Sequence, residues 1–326
     1  RGCAPLVFAT QRGYADIVAG LLDARAAADP IGPDEATPLV IAAQAGALDI
    51  VDLLLTARAS VDAREHRGVT ALMFGAQAGR GDVVGRLLEA RADLDREMSE
   101  GGSALMLAAQ FGHAPVVGQL LNARADPDIT DVNGRGALAY SAHFNQAEIV
   151  RRVLDARAAV DQADAEGWTP LMLAVQGPHL AVMDRLLAAR ASPQLAAGNG
   201  CSALRLAAER GEAKAIARLL EAGAQVDAAD DAGHTALVLA AMQGHAAATE
   251  RLLLARAAVD HATAAGSTPL MLAAADGHTD AVDRLLEARA SLDLVDGNGR
   301  KAVDLASASG RHRIVERLVK AQAGGR

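Results

Sequence analysis

The chain has 326 residues, of which 51% are hydrophobic, 2% aromatic and 22% charged, and its formal net charge is −8. That acidity argues against a nucleic-acid backbone as the main ligand, because phosphate recognition needs a strongly basic face. No run of 18 apolar residues and no signal peptide are visible, so membrane insertion is not expected.

A single pattern, best seen from Gly266 to Asp293, recurs along the chain. Leu270 returns as Leu6, Leu39, Leu72, Leu105, Leu138, Leu171, Leu204 and Leu237, and as Val303 at the end, in a strict 33-residue step. Within the unit, Thr268 suits a helix N-cap and Pro269 the first helical position, where its missing N–H costs nothing. Leu270, Leu272, Ala273 and Ala274 then predict a short helix that Gly277 stops. Ala281, Val282, Leu285 and Leu286 carry the spacing of a buried stripe on a second helix. Ser291 to Gly299, rich in Asp, Asn and Gly, reads as a tight turn into the next unit. Neither helix is long enough to stand alone, so neighbouring copies must bury both stripes.

The unit resembles an ankyrin repeat, through Asp131, Gly134, Gly167, Thr169-Pro170-Leu171, Ala273-Ala274, Gly277-His278, Ile17-Val18 and Leu186-Leu187. Ten copies in strict phase cover essentially the whole chain. The resemblance implies an all-α ankyrin-repeat solenoid of paired antiparallel helices joined by hairpin-like turns. No linker or compositional break interrupts 1–326, so one domain of about ten repeats is expected, with a truncated first repeat and a last repeat acting as C-terminal cap.

In chain order, repeat 1 (Gly2 to Pro33) has an ordinary internal face, Leu6, Phe8, Ile17, Val18, Leu21 and Leu22, with no polar capping substitutions. Further repeats upstream, or a frayed first helix, are expected, and a start inside a repeat without Met suggests that something precedes it. The turn Asp29 to Glu35 carries two prolines, with Glu35 at the usual glycine position, and should bend away from its neighbours. Repeats 2 to 4 are regular. Repeat 5 diverges most: Gly136 stands at the N-cap, Tyr140 and Ser141 replace Leu and Ala, and Asn145 replaces the inter-helix Gly. Repeat 6 has Gly177-Pro178 between its helices, and repeats 7 to 9 are regular. Repeat 10 is polar where the others are apolar, with Asp304, Ser307, Arg311, His312, Arg313, Glu316 and Lys320, as a cap requires.

Two columns depart from the family pattern. The family's His after Leu is absent throughout; Met73, Met106, Met172 and Met271 recur there and read as core packing. The glycine after the second helix is Arg in eight of nine copies: Arg25, Arg58, Arg91, Arg124, Arg157, Arg190, Arg256 and Arg289, with Gly223 the exception. Four residues on stands an Asp column, Asp29, Asp62, Asp95, Asp128, Asp161, Asp227, Asp260 and Asp293, broken by Gln194. The arginines are either an anion-binding strip or one half of a self-neutralised Arg–Asp ladder, and the accompanying Asp column favours the ladder.

Catalysis finds little support. His113, His179, His245 and His278 occupy the family's Gly-His loop position, no nucleophile–base arrangement recurs, and acids pair on helix faces, as Asp82 with Arg86 and Glu148 with Arg152. No cofactor is expected. Cys3 and Cys201 share a turn column six repeats apart, about 60 Å at helix-packing distance, which fits a reduced intracellular, cytoplasmic setting and leaves zinc no ligand pair.

The resemblance therefore implies a protein-binding scaffold that holds another protein or peptide in a concave groove. The alternative is a regulatory or substrate-recruiting segment of a larger enzyme or channel whose catalytic part lies outside this chain. The scarce aromatics point to a place. Phe8, Phe74 and Tyr140 fall at a first-helix column expected to be buried, and Tyr14 at an inter-helix loop. Phe111 and Phe144 share a column at the end of the first helix, and Trp168 occupies a turn tip one repeat later. With Arg135, His143 and Glu166 as polar rim, they form the expected partner-binding residues.

Overall fold

The structure, a computed structural model, describes residues 4–32 and 35–324. Cys3 lies outside the described residues, as do Pro33 and Asp34 of the turn expected to bend. The chain divides into two compact units, Arg1–Ala165 and Glu166–Arg326.

The first unit is built from five helix pairs: α1 (Pro5–Gln11) with α2 (Ala15–Asp23), α3 (Pro38–Ala45) with α4 (Leu48–Thr56), α5 (Ala71–Gln77) with α6 (Gly81–Glu89), α7 (Ala104–Gln110) with α8 (Ala114–Asn122), and α9 (Ala137–His143) with α10 (Ala147–Asp155). The second repeats the plan with α11 (Pro170–Gln176) and α12 (Leu180–Ala188), α13 (Ala203–Glu209) and α14 (Ala213–Glu221), α15 (Ala236–Met242) and α16 (Ala246–Leu254), α17 (Pro269–Asp276) and α18 (Thr279–Glu287), and α19 (Ala302–Ala308) and α20 (His312–Gly324). Within each unit every helix packs on its own partner and on the equivalent helix of the next pair. The fold is the all-α ankyrin solenoid expected from the repeat. Among the described residues the turns form only isolated backbone bridges, such as Gly101 with Asp131, and no strands.

Helices of seven to nine residues are marginal by themselves, so burial between layers has to stabilise them. Leu39, Leu72, Leu105, Ile50, Val83 and Val116 are all essentially inaccessible, each contributing about 1.5–3 kcal/mol relative to exposure. Repeat 1 departs from the expectation of an ordinary buried face. Ile17 is 53% exposed and Phe8 50% exposed, although Ile50 and Phe74 in the same columns are buried, because within this chain repeat 1 has a layer on one side only. The Arg12 guanidinium stands over the Phe8 ring, 5.2 Å from its centre. In repeat 10, Asp304, Ser307, Arg311, His312, Arg313 and Glu316 are exposed, as a polar outer face requires.

The caps follow the sequence with one substitution of chemistry. The hydroxyls of Thr70, Thr169, Thr235 and Thr268 accept the backbone N–H three residues on. At Thr70 and Thr268 the reciprocal bond is closed by sulfur: the threonine N–H donates to Sδ of Met73 and Met271, each at 3.4 Å. The buried methionine column therefore packs and also completes two caps. Arg205, in the same column, is buried and paired with Asp230. Burial alone would raise the Asp230 carboxyl, but the His234 backbone N–H and the Arg205 charge outweigh it and hold the pKa below its usual value.

The Arg and Asp columns are correctly placed but not joined. All eight arginines are left-handed, with φ from 62° at Arg25 to 71° at Arg124. Each closes its second helix through paired backbone bonds: the N–H of Arg25 donates to Leu22 O and that of Ala26 to Leu21 O, and the same pair recurs at Arg58 and Ala59. No ion pair links this row to the Asp column among the described residues, which corrects the expected ladder. The carboxylates instead reach across to the next repeat, where Asp29, Asp62, Asp95 and Asp128 accept the backbone N–H of Ser60, Asp93, Asp126 and Ala159. Gln194, the apparent break, does the same with its amide oxygen toward Gln225. A backbone N–H of fixed position is a better partner for a short carboxylate than a mobile guanidinium.

Charge pairing between layers runs elsewhere, on the second helices. Arg86 pairs with Asp52 and Glu89 rather than with Asp82; Arg218 pairs with Asp184 and Arg317 with Asp283, each across one repeat. Glu148 does bind Arg152, and also Arg151; the hydrogen bond from Arg151, and then that from Arg152, holds its carboxyl down to about 2. Pairs this exposed add little to stability, because solvent and salt screen them.

These assignments separate the two columns experimentally. Asp95→Ala leaves a backbone N–H without its acceptor and should lower stability by about 1 kcal/mol. Arg124→Gly relieves a left-handed residue and breaks no ion pair, and should leave stability equal or raised by up to about 1 kcal/mol. Urea midpoints of the two variants check this; a loss at Arg124→Gly comparable to that at Asp95→Ala would contradict the assignment.

Candidate functional site

The first-helix ends and turn tips of repeats 4 and 5 carry most of the residues singled out by sequence. Phe111 and Phe144 are the residues that end α7 and α9, and these helices pack on one another in the first unit. Their rings are 51% and 49% exposed, which makes them large apolar groups held at the surface of adjacent layers. The Phe144 ring stacks on Tyr140 with ring centres 6.4 Å apart and meets the His143 ring edge-on at 4.9 Å.

The divergence of repeat 5 has a local account. Tyr140 is not fully buried as its column suggested; its hydroxyl donates to Asp131 Oδ2 at 2.6 Å, while Asp131 Oδ1 accepts the N–H of Asn133 and Arg135 and so shapes the turn tip. The buried Ser141 hydroxyl donates to Leu138 O, and Asn145 takes the left-handed conformation of the glycine it replaces. Tyr140 thus ties the base of the Phe144 ring to the tip that bears Arg135. Arg135 is itself engaged, its Nε and Nη2 both 3.0 Å from the buried carboxylate of Asp164. It enters the rim as a positioned group that keeps about a third of its side chain exposed.

Glu166 and Trp168 belong to the second unit, where they occupy its first turn. Glu166 is exposed and its carbonyl accepts the Gly198 N–H, whereas Trp168 is half-buried just before the Thr169 cap of α11. The four residues of the first unit are brought onto neighbouring layers; Glu166 and Trp168 belong to the second unit.

Sequence reasoning missed a depression on the first-helix side of the first unit. It measures about 460 Å³ and is lined by Gln11, Ile41, Gln44, Glu65, Arg67 and Phe74. Glu65 is buried and organises the tip there, its carboxylate accepting the N–H of Arg67 and Val69. Of the aromatic column expected to be buried, Phe74 is buried beside this depression and Phe8 is half-exposed. The loop histidines do what the family position suggests structurally: His113 and His245 bond the Gln77 and Glu209 carbonyls one repeat back. A Cβ on Gly79 would come within 2.6 Å of the His113 ring, so this glycine leaves room for the imidazole, as Gly211 and Gly244 do for His245 and His278. Among the described residues no group of three or more His, Cys, Asp and Glu could hold a metal ion, and no helix is long and apolar enough to cross a membrane.

Burial, and then the Asp131 carboxylate, push the Tyr140 phenol up to about 12. A phenol raised above its unfolded value near 10 contributes stability that is complete below about pH 10 and lost as pH rises toward 12. The stability gap between the protein and Tyr140→Phe should be about 0.5–1.5 kcal/mol at neutral pH and should close over that window. A gap independent of pH would break the link to Asp131.

Comparison with known proteins agrees with this geometry. The family model described as ankyrin repeats (3 copies) matches residues 6–98, 105–197, 176–260 and 246–324. The crystal structure of the human ASB11 ankyrin repeat domain is similar to this chain with a TM-score of 0.60 and 24% identity, over 66% of this chain and 97% of that one. No curated protein matches the chain. A strict 33-residue step, twenty paired helices among the described residues and a family match along nearly the whole length place one conclusion beyond the fold itself: the chain belongs to the ankyrin-repeat family.

Proposed function

We propose that the chain is a scaffold that binds an extended segment of another protein along the first-helix and turn-tip face of its first unit, without chemistry of its own. Ankyrin repeats are in general protein-interaction modules, and the observation that carries the specific reading is the pair of half-exposed rings at Phe111 and Phe144. A large ring held in water at each of two adjacent layers forfeits burial that a partner would restore, and aromatic groups of this kind dominate binding energy where they are covered. Arg135, fixed by Asp164, and His143, set against Phe144, supply the polar rim. The depression beside Phe74 extends the same side of the unit and offers a second apolar contact. Glu166 and Trp168 are proposed as contacts presented by the second unit on its own first turn.

The test uses peptides selected on the folded chain from a random displayed library. Peptides enriched on the protein should lose at least about tenfold in affinity to Phe111→Ala/Phe144→Ala, since each truncated anchor typically costs more than about 1 kcal/mol. The double variant should keep its helical circular dichroism and melting midpoint, because both rings are half-exposed. Trp168→Ala is measured separately and reports on the second unit. Undiminished binding by Phe111→Ala/Phe144→Ala would place the contact surface elsewhere.

A further inference from the structure

We propose that the row Arg25, Arg58, Arg91, Arg124 and Arg157 of the first unit is a second interaction surface, which takes an extended acidic peptide bearing a carboxylate at every third residue. All five arginines are exposed, all are left-handed, and none has an ion-pair partner among the described residues. Backbone strain repeated at five equivalent positions, where glycine would relieve it, points to a use for the side chain. Several carboxylates of the same repeats are committed to other groups. Asp29, Asp62, Asp95 and Asp128 accept backbone N–H groups of the next repeat, Glu89 is held by Arg86 and Asp155 by Arg151.

The partner's chemistry follows from the spacing. Layers of packed helices lie about 10 Å apart, and the second helices α2, α4, α6, α8 and α10 pack in that succession. Three residues of an extended or polyproline-type chain span about 9–10 Å, and in the polyproline form every third side chain returns to one face. A carboxylate at every third residue therefore meets one guanidinium per layer, in the forked geometry that arginine offers a carboxylate. A nucleic-acid strand, with a charge about every 3.4 Å, is out of this register. The row sits at the ends of the second helices, whereas Phe111 and Phe144 sit at the ends of the first, so the two surfaces are tested by different residues.

Fluorescence anisotropy of a labelled (Glu-Pro-Pro)5 peptide with the full chain provides the experiment, beside a peptide of the same composition with its glutamates contiguous. The spaced peptide should bind about tenfold more tightly than the clustered one, the sum of several modest exposed ion pairs, and should weaken as salt rises. Replacing all five arginines by Gln should abolish that advantage. Replacing them by Gly should abolish it too, with a melting midpoint no lower than the parent's, which separates loss of contact from loss of fold. Equal binding of the two peptides, retention after Arg→Gln, or preference for a single-stranded oligonucleotide or for phosphatidylserine vesicles would overturn the proposal.

Discussion

A helix of seven to nine residues does not hold its shape in water, and every property of this protein follows from the need to cover such helices with the next layer. The dependence is reciprocal within each unit. Ile50, Val83 and Val116 are buried because a layer lies on either side of them, and Ile17 in the same column is half-exposed where only one side is covered. Position in the row, more than residue type, decides whether an apolar side chain is core or surface.

Burial alone would leave the layers free to slide, and polar contacts set their register. The carboxylate column, with Gln194 standing in at one place, fastens each turn to the backbone of the next. The loop histidines bond a carbonyl one repeat back, over glycines that leave space for the ring. The second helices exchange arginine–carboxylate pairs across the same distance. Most of these contacts use a backbone group on one side, whose position the helices already fix, so the entropy lost on forming them is small.

The same economy explains where partners can act. A layered stack buries its small and aliphatic residues and leaves several of its few aromatic rings at the margins, where Phe111 and Phe144 end adjacent helices. Repeat 5 abandons the consensus, yet the Tyr140 and Ser141 hydroxyls find local acceptors that Leu and Ala would not have used, and Asn145 keeps the left-handed backbone of the glycine it replaces. Its irregularity therefore alters the surface and keeps the stack.

The fold, the two helices of each repeat, their caps and the left-handed arginine row were legible in the sequence, because each rests on local chemistry repeated at a fixed step. The Phe111 and Phe144 column was legible for the same reason. What stood beyond reading were the partners of side chains. Arg25 and Asp29 are neighbours in sequence, yet the Asp29 carboxylate faces Ser60, 31 residues away; Arg86 passes over Asp82 for Asp52; and Phe8, alike in pattern to Phe74, stays in solvent. Sequence spacing determines which residues share a column, but only stacking one repeat on another decides what each column meets.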